Sequence, residues 1–407
     1  MLALSPGRVK AQADSTLDHS IEAGEASVEA PKEKLLKWNE FDGSFFTLTA
    51  GAGLLLEAAT FAQDDASRRQ FQLESSTGIR DFRFLLKGSI KLERPTTWTC
   101  GIMYDGPSRS WFIRETGIMV AVDELWGHVF IGRTKEGFSL NKVMTGYANW
   151  AMERATINDA TIPILADGIK WLGYFPGHKW LYTIGWYTDW LSDSQSFTSY
   201  ENQFIARLVW LPIASEQTGK LLHLGINGRY GIVDDGMLRL RSRPELFLSP
   251  YFIDTGSFVA HHTTMGSVDA YYRMGPLLLG SEYFVQRASS SEAGSPVFHG
   301  GDVALCWLIT GETRAYSVVG GFFKTISPSR SFFDGGPGAW EAVLRFSYID
   351  LDSGLLDGGK FWRLTSMVNW HLSGNVRMEF VYGFGSLDRF GELGGTHFFQ
   401  TRLQTLI

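Results

Sequence analysis

The sequence predicts an all-β fold, a transmembrane antiparallel β-barrel of about sixteen strands with one loop folded inward. Three observations predict it: apolar and polar residues alternate near the C-terminus, strand-like segments of about ten residues recur along the chain, and one long segment interrupts them. The length agrees, because a large barrel uses 407 residues as one closed sheet, whereas a soluble chain of that length more often forms two domains.

The alternation is clearest between residues 362 and 372. Its apolar parity holds Trp362, Leu364, Val368, Trp370 and Leu372. Its polar parity holds Arg363, Thr365, Asn369 and His371. Because successive side chains of a strand point to opposite faces, this segment has one apolar and one polar face. The pattern resumes after a Ser-Gly-Asn turn on residues 376–384, which predicts a two-faced hairpin.

The composition favours strands over helices. The chain contains 14 Trp, 14 Tyr, 29 Phe and 45 Gly, a mixture typical of strands, tight turns and aromatic girdles. No uninterrupted apolar run approaches the ~20 residues that a membrane helix requires, and the mean hydropathy is −0.06. These values exclude a helical membrane protein but not a barrel, since polar residues facing a lumen lower the mean hydropathy.

From Phe45 onward, strand-like segments separated by turns follow one another, and their number is near sixteen, with eighteen still compatible. They are 45–58, 79–91, 96–105, 111–122, 125–135, 179–190, 200–211, 220–232, the weaker 236–243, 264–287 (two strands), 299–310, 313–325, 338–351, 361–373, 375–385 and 396–407. The longest interruption runs from Leu140 to Gly168. Because so long a segment without alternation is usually functional or disordered, we expect it to fold into the lumen as a constriction loop.

The charged residues distinguish a membrane barrel from a soluble sandwich, which would bury its apolar face in a dry core. In segment 79–91 one parity is charged: Asp81, Arg83, Lys87 and Lys91. The other is apolar: Phe82, Phe84, Leu86 and Ile90. In segment 220–232, Arg229 likewise opposes apolar neighbours. A Lys or Arg facing lipid near mid-membrane costs roughly 2–4 kcal/mol, so in a barrel these charges must face water in the lumen.

Three arginines, Arg239, Arg241 and Arg243, alternate along one short segment. On an extended chain they project to one side, with their β-carbons about 6–7 Å apart, and three guanidinium groups in a column repel one another. Two interpretations remain open. The column is a solvated strand face balanced by Asp234, Asp235 or Glu245, or it is a ladder that binds anions, because guanidinium groups match phosphate oxygens.

Other kinds of site have weaker support. Cys100 and Cys306 lie in strand-like segments without metal-ligand spacing and are interpreted as small apolar residues, so no metal or cofactor is expected. An outer-membrane enzyme such as a phospholipase would need Ser, His and Asn together on the outer wall. The nearest candidates are His261 and His262 near Ser257, and His371 near Asn369. A soluble adhesive β-protein is the third alternative.

The N-terminal region differs from the rest. Residues 1–13 end in an Ala-x-Ala pattern and are either the remnant of a signal peptide or an arbitrary start. Residues 14–40 hold seven carboxylates and three lysines, thus −4 of the formal charge of −6, and are expected on the periplasmic side. Leu17, Ile21, Gly24 and Val28 suggest either a short helix that pairs in an oligomer or a disordered tail. Residues 41–407 form the barrel domain.

Several motifs resemble those of one protein family. They occur at 131–139 (IGRTKEGFS), 150–154 (WAMER), 240–245 (LRSRPE), 338–351 (GAWEAVLRFSYIDL), 368–377 (VNWHLSGNVR) and 399–404 (FQTRLQ). In this order they resemble the phosphate-selective porin O and P family, over residues 45–407. The resemblance implies a sixteen-stranded trimeric barrel in the outer membrane of a Gram-negative-type bacterium, through which small anions such as phosphate diffuse passively, with outer-membrane lipid around it and no nucleic-acid partner.

The resemblance also implies roles for particular residues. Arg133, Lys135 and Arg154 would stand near the constriction, and Arg239, Arg241 and Arg243 would line the approach. Arg229 is expected to line the pore as well, because its strand parity faces the lumen. Three features depart from the family pattern: the nearly neutral barrel domain, Glu136 after Lys135, and Ile407 in place of a terminal Phe. The first two leave a general or weakly selective channel as the alternative function. The third preserves alternation, because Phe399, Leu403 and Ile407 still share a parity.

Overall fold

The protein, described by a computed structural model over residues 37–106, 108–191 and 200–407, forms a barrel of sixteen crossing strands. The predicted segment 1–13 and most of 14–40 lie outside the described residues. The strands are β1 (Thr47–Gln63), β2 (Ser76–Ile90), β3 (Thr96–Asp105), β4 (Ser110–Ile113 continued by Thr116–Val122), β5 (Gly127–Thr134), β6 (Ala166–Tyr174), β7 (Trp180–Thr188), β8 (Tyr200–Ser215), β9 (Lys220–Val233), β10 (His262–Met274), β11 (Leu277–Ser289), β12 (Val297–Leu308), β13 (Ala339–Ser353), β14 (Leu356–His371), β15 (Val376–Arg389) and β16 (Glu392–Leu406).

Each strand pairs antiparallel with its neighbour in sequence, and β1 also pairs with β16, from Gly53 with Leu406 to Gln63 with Thr396. This last pairing closes the barrel. A short strand, Glu40–Asp42, pairs with the first residues of β1 and extends the edge beyond Ile407. Closure leaves no strand edge facing lipid, where an unpaired backbone amide would cost several kcal/mol.

Helices are short and few in the described part of the chain. They are α1 (Asp65–Gln70), α2 (Leu140–Val143) and α3 (Thr156–Thr161), with four short 3₁₀ turns. None of the helices in the described residues is both long and apolar enough to cross a membrane.

The two faces of the wall carry opposite chemistry, as the alternation predicts. On β14, Leu364 is 44% exposed on the outside, whereas Arg363 is 1% exposed on the inside. Aromatic pairs border the outer belt near both ends, with ring centroids 4.9 Å apart for Trp340 and Trp370 and 6.1 Å apart for Phe346 and Trp362. The apolar side chains therefore face outward and not a shared dry core, which excludes the soluble sandwich.

The two ends of the barrel differ in loop length. At the end that holds both Asp42 and the C-terminus, six of the seven connections contain two to five residues. The opposite end has loops 135–165 and 234–261, so it is the extracellular end by the usual asymmetry of these barrels.

The exception among the short turns is segment 309–338, which returns into the lumen. There the Tyr316 hydroxyl lies 2.6 Å from His223 Nδ1, and Arg207 Nη2 donates to the Gly321 carbonyl at 2.8 Å.

Two strand predictions were wrong, and strand β6 was missing from the predicted segments. Segment 313–325 is not a crossing strand, because Phe322 and Phe323 pack inside the lumen in one apolar cluster with Trp150. Segment 236–243 forms only two-residue strands within loop 234–261. The interruption predicted from Leu140 to Gly168 ends earlier, because β6 begins at Ala166. Periodicity alone cannot tell lumen packing from lipid exposure, since both select apolar side chains.

Leu344 tests the inside-outside assignment. It lies at the middle of β13 and is 47% exposed on the outer belt. We expect Leu344→Arg to lower the free energy of unfolding by about 2–4 kcal/mol relative to Leu344→Ala, because the guanidinium would face hydrocarbon. Urea titration of the protein refolded into lipid vesicles measures this difference. Equal stability of the two variants would contradict a lipid-facing position.

Candidate functional site

Loop 135–165 lies across the lumen, and arginine side chains hold it there. Four guanidinium groups donate hydrogen bonds to its backbone carbonyls, and three of the N–O distances are 2.7–2.8 Å. The pairs are Arg314 with Ala148, Arg377 with Asn149, Arg402 with Met152 and Arg345 with Glu153. Hydrogen bonds from charged donors are stronger than neutral ones. These arginines are therefore occupied by the loop and do not face open space.

Acidic and amide side chains anchor the loop from the opposite wall. Glu282 Oε1 accepts the backbone N–H of Asn141 at 2.7 Å, and Asn227 Oδ1 accepts that of Ser139 at 3.1 Å. These contacts cover the lumen face of β9 and β11. What remains open is therefore the side of the lumen along β2, β3 and β4.

Three neighbouring cavities lie along this side of the lumen. The upper one opens between loops 135–165 and 234–261, the middle one follows it, and the lower one reaches Gly51 on β1. The upper and middle cavities share Arg243 and Asp159, and the middle and lower ones share Arg83 and Lys135. They follow one another from the extracellular mouth toward the periplasmic end.

The middle cavity is basic. Seven cationic side chains line it: Arg80, Arg83, Arg114, Lys135, Lys142, Arg154 and Arg243. Four acidic side chains line it as well: Asp105, Glu153, Asp159 and Glu245. Asp81 lies behind the arginines and accepts from both Arg80 and Arg83, at 2.9 and 2.6 Å. The charge facing this cavity is thus positive, although the chain as a whole is acidic.

Two β-bulges bring additional arginines inside. The register between β1 and β2 shifts at Arg80, so Arg80 and Asp81 both face the lumen. The pairing of β3 with β4 shifts between residues 113 and 117, and Arg114 and Glu115 are both buried inside. A bulge adds one residue and re-aims the neighbouring side chains. Under strict alternation, one charged residue of each adjacent pair would face lipid. Two adjacent charged residues in a strand were therefore the sequence signal for a bulge.

Arg133 and Arg229 are fully buried in ion pairs. Arg133 Nη1 lies 2.8 Å from Asp167 Oδ1, and Arg229 Nη1 lies 2.9 Å from Glu136 Oε1. Both side chains are 0% exposed, and neither lines the three cavities. Their predicted place on an anion path stays a prediction. Glu136 forms an ion pair with Arg229 and does not line the middle cavity.

Lys135, Lys142 and Arg154 belong to the constriction loop. Lys135 Nζ and Arg154 Nη2 both donate to the Met144 carbonyl, at 2.8 and 2.7 Å. Lys142 Nζ donates to the Ile162 carbonyl at 2.9 Å. Burial, together with the charge of Arg154, lowers the pKa of Lys142 to about 7 and that of Lys135 well below its usual range.

The arginine column of loop 234–261 divides. Arg239 pairs with Asp254 at 2.5 Å, and not with the predicted Asp234, Asp235 or Glu245. Arg241 and Arg243 instead lie over the Tyr251 ring, 4.1 and 4.2 Å from its centroid. Glu245 turns inward and pairs with Arg345. Carboxylate balance therefore explains only the first arginine of the column.

Comparisons with known proteins agree with this architecture. A family model described as phosphate-selective porin O and P matches residues 103–404. Porin O of Pseudomonas aeruginosa is 24% identical over 235 residues, which cover 50% of this chain and 52% of that protein. The chain spans no more than about half the length of the curated relatives that it matches.

Solved structures share the fold. The trimer form of OmpT, an outer-membrane protein of Vibrio cholerae, has a TM-score of 0.56 at 12% identity, covering 89% of this chain and 100% of its own. An anion-selective porin from Comamonas acidovorans has a TM-score of 0.54 at 12% identity, covering 88% and 99%. At such low identity these similarities show the barrel alone.

Glu153 tests how the loop is held. Its carboxylate accepts from Arg80 at 3.1 Å and also pairs with Arg402. We expect Glu153→Gln to destabilise the protein by about 1–3 kcal/mol, because two buried guanidinium groups lose a charged partner while Arg402 keeps Glu57. Thermal unfolding measures stability, and single-channel current noise should rise as the loop loosens. The exposed loop residue Glu74, changed to Gln, is the matched control and should change neither quantity.

Proposed function

Because the chain belongs to the phosphate-selective porin O and P family, and its barrel is an outer-membrane porin barrel, we propose that small anions diffuse passively through its three cavities. The basic lining of the middle cavity carries this proposal. Seven cationic side chains face four acidic ones there, at the level where loop 135–165 narrows the lumen. Such an excess attracts anions and repels cations of similar size.

The proposed path has successive basic contacts. Arg241 and Arg243 stand at the extracellular mouth, Arg80 and Arg154 follow in the middle cavity, and Arg114 lines the lower one. Each guanidinium group replaces part of the hydration shell of a passing oxyanion through directed N–H donors. Transport requires that each site bind strongly enough to admit the ion and weakly enough to release it. Several moderate sites in series meet both requirements, and no catalytic step is needed.

Phosphate and related oxyanions are the proposed cargo. The description of the matching family supports phosphate, and the structural similarity to an anion-selective porin agrees with it. The two departures from the family pattern, Glu136 and the near-neutral barrel domain, argue less strongly for a weakly selective channel once the site is considered. Glu136 pairs with Arg229, and the near-neutral barrel domain places seven basic side chains at the constriction.

A channel accounts better for the candidate histidine site than an outer-membrane enzyme does. His371 and Asn369 are buried on the lumen face, and both contact Glu341. Lipid does not reach that face. We further propose that three copies assemble as in the trimer form of OmpT, and that residues 14–40 lie on the periplasmic side, the side on which Glu40, the last of them, pairs with the first crossing strand.

Ion selectivity tests the proposal directly. Under a KCl gradient across a planar bilayer, we expect a reversal potential that favours chloride. Arg83→Gln and Arg154→Gln should each shift it toward zero, because each removes one positive charge from the middle cavity. Arg94→Gln, at an exposed ion pair with Glu124 on the periplasmic rim, should leave it unchanged. A wild-type reversal potential that favours potassium would refute anion selectivity.

Lys142 predicts a dependence of selectivity on pH. Its pKa is about 7, so its ammonium is charged below that pH and neutral above it. Glu136, Asp159, Arg154 and Arg229 are the charged groups that face it. We expect chloride selectivity to fall as the pH rises through about 7, and this fall to disappear in Lys142→Gln. Reversal potentials measured across that range give the curve. An identical fall in the variant would assign the effect to another group.

A further inference from the structure

Five side chains at the mouth alternate between guanidinium groups and aromatic rings. In order they are Arg241, Tyr251, Arg243, Phe247 and Arg80. The distances from guanidinium carbon to ring centroid along the series are 4.1, 4.2, 5.0 and 3.9 Å. The rings separate three positive charges and attract them through their negative faces. The rings help the column to be tolerated, since within the described residues Asp254 pairs with Arg239 and no ion pair to a carboxylate is seen for Arg241 or Arg243.

The series leads from the outside into the constriction. Arg241 is exposed at its outer end, and Arg80 lies at its inner end in the middle cavity. Arg243 donates from Nε to the Ser249 carbonyl at 2.8 Å, and its side chain lines both the upper and the middle cavity. The series is therefore both a charged and an aromatic surface along the entrance.

Loop 135–165 lines the upper cavity with polar and apolar residues. It contributes the half-buried Ile164 and the exposed Asp159, whereas Ile162 and Pro163 border the cavity but are buried. A bare oxyanion such as phosphate has only oxygen atoms to offer, and it gains nothing from Ile or aromatic carbon. An anion with a flat apolar group would bury that group against such carbon while its charge meets a guanidinium edge.

We infer that the entrance recognises aromatic carboxylates, small anions that carry a planar ring. The inference rests on the proposed anion passage and adds a class of anion that the entrance binds besides phosphate. The carboxylate would accept hydrogen bonds from the guanidinium group of Arg241 or Arg243. The ring would continue the alternation beyond the exposed Arg241 or lie against Ile164. No group is transferred and no bond is formed or broken.

Block of chloride current tests the inference. Benzoate and cyclohexanecarboxylate have the same charge and nearly the same size, but only benzoate is planar. Added on the extracellular side in KCl, benzoate should block the current at a several-fold lower concentration than either cyclohexanecarboxylate or inorganic phosphate. Equal blocking concentrations for benzoate and cyclohexanecarboxylate in the wild-type protein would overturn the inference.

Variants locate the effect. Tyr251→Leu and Phe247→Leu should raise the blocking concentration of benzoate to that of cyclohexanecarboxylate, and Arg241→Lys should do so in part, because a lysine keeps the charge without the planar group. Tyr230→Leu removes a ring from the lipid-facing wall and should keep the wild-type preference for benzoate. A preference that persists in Tyr251→Leu and Phe247→Leu would refute the assignment to this series.

The two proposals fail separately. Chloride selectivity is read from the reversal potential in KCl alone, before any organic anion is added. If that selectivity holds and the benzoate preference is absent, only the substrate class is wrong. If a variant does not refold, liposome swelling with the wild-type protein still tests the inference. The swelling rate is compared in sodium benzoate and in sodium cyclohexanecarboxylate. We expect faster swelling in benzoate, and equal rates would contradict the inference.

Discussion

The cost of placing a charge in hydrocarbon determines most of this structure. A guanidinium on the lipid face near mid-membrane costs roughly 2–4 kcal/mol, so the strands of the wall turn the arginine and glutamate side chains at that depth inward. Arg345 and Arg363 are each 2% exposed or less, while Leu344 and Leu364 point to lipid on the same strands. The lumen then contains many charges, and each needs a partner. The backbone carbonyls of loop 135–165 serve as hydrogen-bond acceptors for several of the lumen arginines.

The arginines of the lumen are consequently divided between two tasks. Arg345, Arg377 and Arg402 bind the constriction loop and so fix where the lumen is narrow. Arg80, Arg83 and Arg114 line the space that the loop leaves open. One chemical group thus builds the constriction on one side and makes it basic on the other. The net charge of the chain therefore says little about selectivity, because most charges are neutralised within the wall.

Parity predicted the faces of the strands but not every residue that lines the cavities. Asp81 and Arg83 were placed correctly inside, because they share a parity opposite to Phe82 and Phe84. Arg80 and Arg114 were missed, because each enters the lumen through a bulge. Segment 313–325 was assigned to the wall because apolar residues packed inside a lumen alternate much as lipid-facing ones do. Basic motifs predicted Lys135 and Arg154 at the loop, yet their bonds to Met144 depend on how the loop folds.

By itself the sequence determined the barrel, the inward loop, and which face of each strand is apolar and which is polar. These features follow from local alternation and from the cost of charge in lipid. The tertiary structure decided which charged side chains line the cavities and which are neutralised in buried ion pairs. The local sequence does not separate Arg133 and Arg229 from Arg154. In the structure Arg133 pairs with Asp167 and Arg229 pairs with Glu136, and both partners are distant in sequence. Pairing in a closed lumen joins residues from many strands, and spacing along one chain segment does not record which of them meet.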